Sequence, residues 1–268
     1  MIETNNGLEL SRIEYESPER ATINLLQWNI WNEADPKTVL LHLQEICGKE
    51  SVNVVCLQEF DETQAEHFAE VLDMPYYATS TARHLELRGK PHGKKDSLIT
   101  FSKFPFENDP LRLSLTEDGW RFFSEIEPGE NYLEVDLKLP GGKNLKVGNF
   151  HSLPSRYAKS SSRKAEANEL YEIIEDRKDK PFVLAGDRNS GEKSYAARKL
   201  SEFLIPNKET GIPTTTSKRW EGRLGRFGRY IRREYDQTYL SSQLEATRSK
   251  VLPAGPSDHN PTITAIKV

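Results

Sequence analysis

Apolar positions along this chain follow two rhythms: short near-continuous runs, and longer stretches with every third or fourth residue apolar. These are the marks of buried strands and amphipathic helices. The first run, TINLLQWNI at residues 22–30, predicts a strand that closes on the polar Asn29. Asp35 and Pro36 then offer an N-cap and a first-turn proline, and KTVLLHLQEIC behind them carries Val39, Leu43 and Ile46 at helical spacing. VNVVCLQEF is again nearly continuous, as in a strand covered on both faces, and ends on Gln58 and Glu59.

The alternation continues. ETQAEHFAEVL predicts a second helix, and DSLITFSKFPF a strand ended by proline. Trp120 to Ile126, YLEVDLKLP and NLKVGNF read as strands, the last two joined through the turn PGGK. Ser160 to Ser162 are candidate caps for a helix through RKAEANELYEIIEDRK, whose inner face carries Leu170, Ile173 and Ile174. Lys180-Pro181 separates it from the strand FVLAGD; a short helix around Ala196 to Leu204 and the strands YDQTYLS and TITAIKV complete the pattern. About nine or ten strands with interspersed helices fit two packed sheets better than one open sheet, within one α/β domain. The expected division is a polar extension over residues 1–21 and a single domain over 22–268.

Composition narrows this only modestly. At 36% hydrophobic and 29% charged residues the chain can bury a core. Its formal net charge of −4 gives no global attraction to polyanions, so such a partner needs a local patch. No run approaches the roughly 20 apolar residues of a membrane span, and the acidic, polar N-terminus lacks a signal-peptide core. Cys47 and Cys56, one at a helix end and one in an apolar run, read as free buried thiols, so the expected location is reducing and cytoplasmic.

The chemistry gathers at strand ends. Asn29 follows LLQW, Glu59 follows VVCLQ, His151 follows KVGNF, and Asp187 and Asn189 follow FVLAG. Asp236 opens DQTYLS, and Asp258-His259 precedes the final strand. Strand ends are where side chains distant in sequence meet at one mouth. Each has a plain alternative: Asn29 as a turn residue, Glu59 as the start of a loop, His151 as a structural histidine. In GDRN, Asp187 and Asn189 alternate to one side if the chain is extended, and form an Asx turn if it is not.

The ordered set QWNI, LQEF, NFHS, GDRN, YDQTYLS and SDHNP resembles the endonuclease/exonuclease/phosphatase superfamily of metal-dependent phosphoesterases over residues 22–268. The resemblance implies a four-layered α/β sandwich, two mixed, mainly antiparallel sheets packed face to face with helices outside. It implies that Glu59 is the principal ligand of a divalent ion, Mg2+ or Mn2+, with Asn29 and Asp258 in the same shell. Asp187 and Asn189 would position water and phosphate, His151 and His259 would donate to the phosphate, and Asp236 would orient His259. Either Asp187 or His259 is left as the general base. Two departures stand out: Ile30-Trp31-Asn32 after the first motif, and HGKKDSLITFSKFP, where His92, Lys94 and Lys95 are candidate substrate contacts or a solvated loop.

One segment is compositionally biased. Lys218 to Arg233 interleaves Arg226, Arg229 and other arginines with Trp220, Phe227 and Tyr230. Guanidinium forks bind phosphate and aromatic rings stack on bases, so these residues are candidate contacts for DNA or RNA; a solvated basic loop is the alternative. The expected function is therefore a nuclease. A phosphatase or phosphodiesterase acting on inositol phosphates or lipid headgroups is the second possibility, and a non-catalytic phosphate-binding module the third. Oligomeric state is not legible.

Overall fold

The computed structural model describes residues 21–31, 34–80, 83–87, 90–115, 126–127, 130–154, 158–207, 235–253 and 255–268, with backbone alone for 83–87, 90–95 and 126–127. All of the expected N-terminal extension except Ala21, and the basic segment with Trp220, Arg226, Phe227 and Arg229, lie outside them.

Two sheets form the body. In the first, strands β1 (Thr22–Asn29), β2 (Val54–Phe60), β3 (Tyr76–Thr79), β4 (Arg83–Leu87), β5 (Lys90–Ser102), β7 (Ile126–Glu127), β13 (Glu245–Val251) and β14 (Thr262–Lys267) run in the order β13-β14-β1-β2-β5-β4-β7, with β3 also on β5. In the second, β6 (Leu111–Leu113), β8 (Tyr132–Leu139), β9 (Lys143–His151), β10 (Phe182–Asp187), β11 (Ile205–Pro206) and β12 (Asp236–Leu240) run β11-β12-β10-β9-β8-β6. Each is mixed: β1 with β2 and β9 with β10 are parallel, and the other described pairings are antiparallel.

The layering follows from three apolar clusters. Ile23, Leu25, Val54 and Cys56 of the first sheet pack against Val135, Val147, Val183 and Ala185 of the second, filling the space between them. Leu26, Trp28, Val55 and Leu57, on the other face of the first sheet, meet Leu43 of helix α1 (Pro36–Glu50) and Phe68 of α2 (Ala65–Val71). Phe150, Phe182 and Leu184, on the outer face of the second, meet Leu170 of α3 (Ser160–Glu175) and Leu200 of α4 (Tyr195–Leu200). Helices, sheet, sheet and helices make the four-layered sandwich. No described helix is long and apolar enough to cross a membrane.

Local chemistry explains several element ends. Asp35 accepts from the Thr38 N–H at 3.0 Å with Pro36 behind it, and α1 stops where Ser51 turns left-handed at φ 51°. Gly141 and Gly142, at φ 78° and 75°, turn the β8–β9 hairpin through a conformation glycine adopts without steric cost. The expected serine cap of α3 is corrected: Lys159 is the N-cap without a side-chain bond, and Ser160–Ser162 form the first turn. The short helix runs Tyr195–Leu200, capped by Ser194 rather than extending to Leu204. Fourteen described strands exceed the nine or ten expected, because β3, β4, β6, β11 and β13 are short, exposed or strongly polar and carry little periodic signal.

Candidate functional site

The site is built by a period of two. Successive side chains of a strand point to opposite faces, so every second residue of a strand covered on both faces enters the space between the sheets. On β1 the inward row runs Ile23, Leu25, Gln27, Asn29; on β9 it runs Leu145, Val147, Asn149, His151. Val183 and Ala185 lead to Asp187 on β10, and Val54 and Cys56 lead to Gln58 on β2. The antiparallel strands read in reverse: Leu98 lies two residues after Asp96 on β5, and Leu240 four after Asp236 on β12. One end of the inter-sheet layer is thus apolar and the other polar.

Register brings these ends together. Asp187 lies opposite His151 in the parallel pair and opposite Asp236 in the antiparallel pair. Gly186 makes the first approach possible, since a Cβ there would fall 2.0 Å from the Phe150 carbonyl oxygen. Asp187 Oδ2 then receives Asn29 Nδ2 at 3.1 Å and faces His151 Nε2 at 3.8 Å and His259 Nε2 at 3.9 Å.

Each imidazole has a carboxylate behind it from the opposite sheet. His259, ahead of β14 in the first sheet, has its Nδ1 2.8 Å from Asp236 Oδ2 of the second. His151, in the second sheet, has its Nδ1 3.6 Å from Asp96 Oδ1 of the first. Burial alone disfavours charge on both rings, but the surrounding carboxylates outweigh it. Asp96, Asp187 and Glu59 raise His151 to about 9, and Asp236, Asp187 and Asp258 raise His259 well above its ordinary value. In both cases the carboxylates favour the charged form of the ring.

Backbone shape aims the remaining groups. Glu59 sits at φ 57° in the irregular stretch where β2 slips against β5 between Leu57 and Phe60, so its carboxylate reaches Asn29 Nδ2 at 3.1 Å and lies 3.9 Å from His151 Nε2. Trp31, at φ 59°, donates its N–H to Asn29 Oδ1 at 3.0 Å, which turns the Asn29 amino group towards both carboxylates. Left-handed non-glycine residues are costly, and their gathering here is typical of functional sites. In GDRN the Asx-turn alternative holds. Asp187 Oδ1 accepts the Asn189 N–H at 2.7 Å, Asn189 is left-handed at φ 49°, and its side chain donates to Ser152 O at 2.8 Å instead of alternating beside Asp187. Ser257 anchors the last motif, donating to Asn29 O at 2.7 Å and accepting the His259 N–H at 3.0 Å.

All eight expected catalytic and metal positions therefore fall at or beside this cluster. The four aromatic and arginine positions, Trp220, Arg226, Phe227 and Arg229, lie outside the described residues, as do the side chains of His92, Lys94 and Lys95. Sequence reasoning missed Asp96, Gln27, Gln58 and Asn149. The period-two row was the available signal: each continues an apolar inward row.

Of the expected ligands, Glu59 and Asp258 offer the carboxylate oxygens a hard cation takes, whereas Asn29 turns its amino group and not its oxygen towards Glu59. Glu59 and Asp258 keep 20% and 19% of their side-chain surface open, whereas Asp187 and Asp236 keep 1% and 0%. A hard ion such as Mg2+ takes oxygen donors and retains water, so partly open carboxylates suit it. Asp187, Asp236 and His259 also bring atoms within 4.8 Å of one another. Two of these already satisfy each other through the 2.8 Å hydrogen bond, which makes that trio an imidazole between carboxylates and not a cation cage.

Residues 26–259 match the model of the Endonuclease/Exonuclease/phosphatase family. Among solved structures, an endonuclease/exonuclease/phosphatase from Beutenbergia cavernae is similar at 18% identity and a TM-score of 0.70, covering 93% of this chain and 72% of that one. D. rerio TDP2 complexed with single strand DNA product is similar at 13% identity and 0.68, covering 92% and 100%. The mannosyl-6-phosphatase Bt3783 of Bacteroides thetaiotaomicron is similar at 15% and 0.66, covering 92% and 100%. None of the curated proteins compared by sequence matches this chain. With the ordered motifs converging in one polar mouth and the family pattern spanning almost all of the domain, this chain belongs to the endonuclease/exonuclease/phosphatase family.

Proposed function

We propose that this protein is a divalent-metal-dependent phosphodiester hydrolase acting on nucleic acid, DNA or RNA. The observation that carries the reading is a buried carboxylate, Asp187, facing two imidazoles, each with a carboxylate from the opposite sheet behind it. A phosphodiester is anionic, so hydrolysis needs cationic groups around its oxygens and a base for the attacking water. His151 and His259 serve as the donors to the phosphate. Asp187, fixed through its Oδ1 by the Asn189 N–H, presents Oδ2 to orient the water and take its proton. Glu59 would hold Mg2+ or Mn2+, with Asp258 as a second carboxylate; Asn29 would join through its Oδ1 only once its amide turned over, since here its amino group faces Glu59 and its oxygen accepts the Trp31 N–H. Such an ion would neutralise phosphate charge and act as a Lewis acid.

The choice of nucleic acid is supported by the arginine and aromatic segment leading into Asp236, with Arg226 and Arg229 as phosphate contacts and Trp220 and Phe227 as stacking surfaces. The fold is shared with TDP2, solved with a single-stranded DNA product. Cys47 and Cys56, both free thiols, suit a reducing compartment such as the cytoplasm.

The test incubates the protein with Mg2+ or Mn2+ and a panel of single-stranded and duplex DNA, an abasic duplex, RNA, cyclic dinucleotides, inositol phosphates, sphingomyelin and mannose 6-phosphate, beside Glu59→Ala and His259→Ala. Metal-dependent cleavage of an oligonucleotide, lost in both variants, supports the proposal. Phosphate release from a monoester alone replaces it with the phosphatase reading, and tight binding without turnover replaces it with a binding module.

A further inference from the structure

Beneath the polar mouth, a chain of buried side-chain amides crosses from one sheet to the other, and its direction is dictated by chemistry. Asn149 on β9 donates its two amide hydrogens to the backbone carbonyls of Leu57 at 3.1 Å and Ile99 at 3.0 Å. Carbonyl oxygens only accept, so the Asn149 side-chain oxygen must face the other way, and it accepts from Gln58 Nε2 at 2.7 Å. Gln58 Oε1 is thereby an acceptor and receives Gln27 Nε2 at 2.9 Å. The second hydrogen of the Gln27 amide goes to Asp236 Oδ1 at 3.1 Å, while its own carbonyl accepts the Thr262 hydroxyl at 3.0 Å. Gln27, Gln58, Asn149 and Thr262 are each fully buried. Two strand carbonyls thus determine, three amides away, that a donor points at Asp236.

We propose that Gln27 is a positioning residue, fixing the Asp236 carboxylate so that its other oxygen meets His259 Nδ1. Asp236 Oδ1 is held by Gln27 and Oδ2 lies 2.8 Å from the ring, so rotation of the carboxylate breaks both contacts at once. Asp236 and Gln27 come from different sheets, so the amide also sets how the sheets sit at the mouth. The consequence for turnover rests on the proposed role of His259; the consequence for the Asp236–His259 hydrogen bond does not.

The experiment therefore reads both. The activity-independent measurement is the downfield proton NMR resonance of the His259 Nδ1–H, assigned by its disappearance in Asp236→Asn and recorded on wild type, Gln27→Leu and Thr262→Val. The kinetic measurement uses bis(4-nitrophenyl) phosphate with Mn2+. Gln27→Leu is expected to move or broaden the resonance and to lower kcat about tenfold to a hundredfold, as loss of a hydrogen bond to a charged group does, with KM little changed. Thr262→Val, which leaves both donors of Gln27 in place but frees its carbonyl, is expected to move the resonance in the same direction by less. A folded Gln27→Leu with an unchanged resonance overturns the proposal. If Gln27→Leu does not fold, an unchanged resonance in Thr262→Val overturns it. A wild type inert towards the phosphodiester, with the resonance still sensitive to Gln27, removes the proposed function and leaves the positioning role standing.

Discussion

The two imidazole–carboxylate pairs flanking Asp187 look like mirror images but are built differently. Asp236 is completely enclosed, lies 2.8 Å from His259 and has its other oxygen held by Gln27. Asp96 is 10% open and stands 3.6 Å from His151, beyond ordinary hydrogen-bond length. The first pair is therefore directional, fixing which ring nitrogen faces outward. The second is a longer and weaker contact, supplemented by charge, which falls slowly with distance. Within one site, the short, enclosed contact yields orientation, while the longer contact to Asp96 acts together with the charges of Asp187 and Glu59 to stabilise the charged ring. His151 faces Glu59 and His259 faces Asp258, each at 3.9 Å, so both rings adjoin a proposed cation ligand, and His259 is in addition coupled to the amide chain through Asp236.

The comparison can be broken outright by removing what both pairs serve. Glu59→Ala is expected to lower kcat/KM by roughly 3 to 4 kcal/mol in transition-state stabilisation. It should also abolish the Mg2+ binding heat seen by calorimetry. Next in size, the pairs should separate: Asp236→Asn should cost about 2 to 3 kcal/mol and Asp96→Asn about 1 kcal/mol, read as kcat ratios, because the first breaks the shorter and more fully enclosed charged contact. Equal losses would show that the 3.6 Å separation is closed in the working enzyme.

A gentler probe is pH. His151 is raised from its ordinary 6.5 to about 9, so in metal-free protein the stability it contributes is present in full below 6.5 and is lost as pH rises through about 9. Thermal melting in chelator should follow that course, and Asp96→Asn should move the loss to lower pH. The smallest effect on either pair is expected from Arg226→Ala with Arg229→Ala. If those residues grip phosphates, the double variant should bind oligonucleotide more weakly with a salt slope reduced by about two and kcat little altered.

Much of this molecule was legible along the chain. Continuous apolar runs marked β1, β2, β9 and β10, Asp35-Pro36 marked the start of α1, and the polar residues closing those runs identified Asn29, Glu59, His151 and Asp187. Read singly, Asp96 was not legible, since it opens the predicted strand segment DSLITF in a charged neighbourhood; only its place two residues before the inward Leu98 marks it. Nor were Gln27 and Gln58, which sit among apolar neighbours and read singly as interruptions.

What the sequence by itself determined is local: periodicity sets which side of each strand faces inward, and caps and glycines set where elements start and turn. Tertiary structure alone decided the rest. Only strand register sets Asp187 against His151 and Asp236, and only the stacking of two sheets places Asp96 behind His151 and Gln27 beneath Asp236. The physical reason is that hydrogen bonds and charge pairs act over a few ångströms in space, whereas these partners lie far apart along the polymer, as with the 209 positions between Gln27 and Asp236.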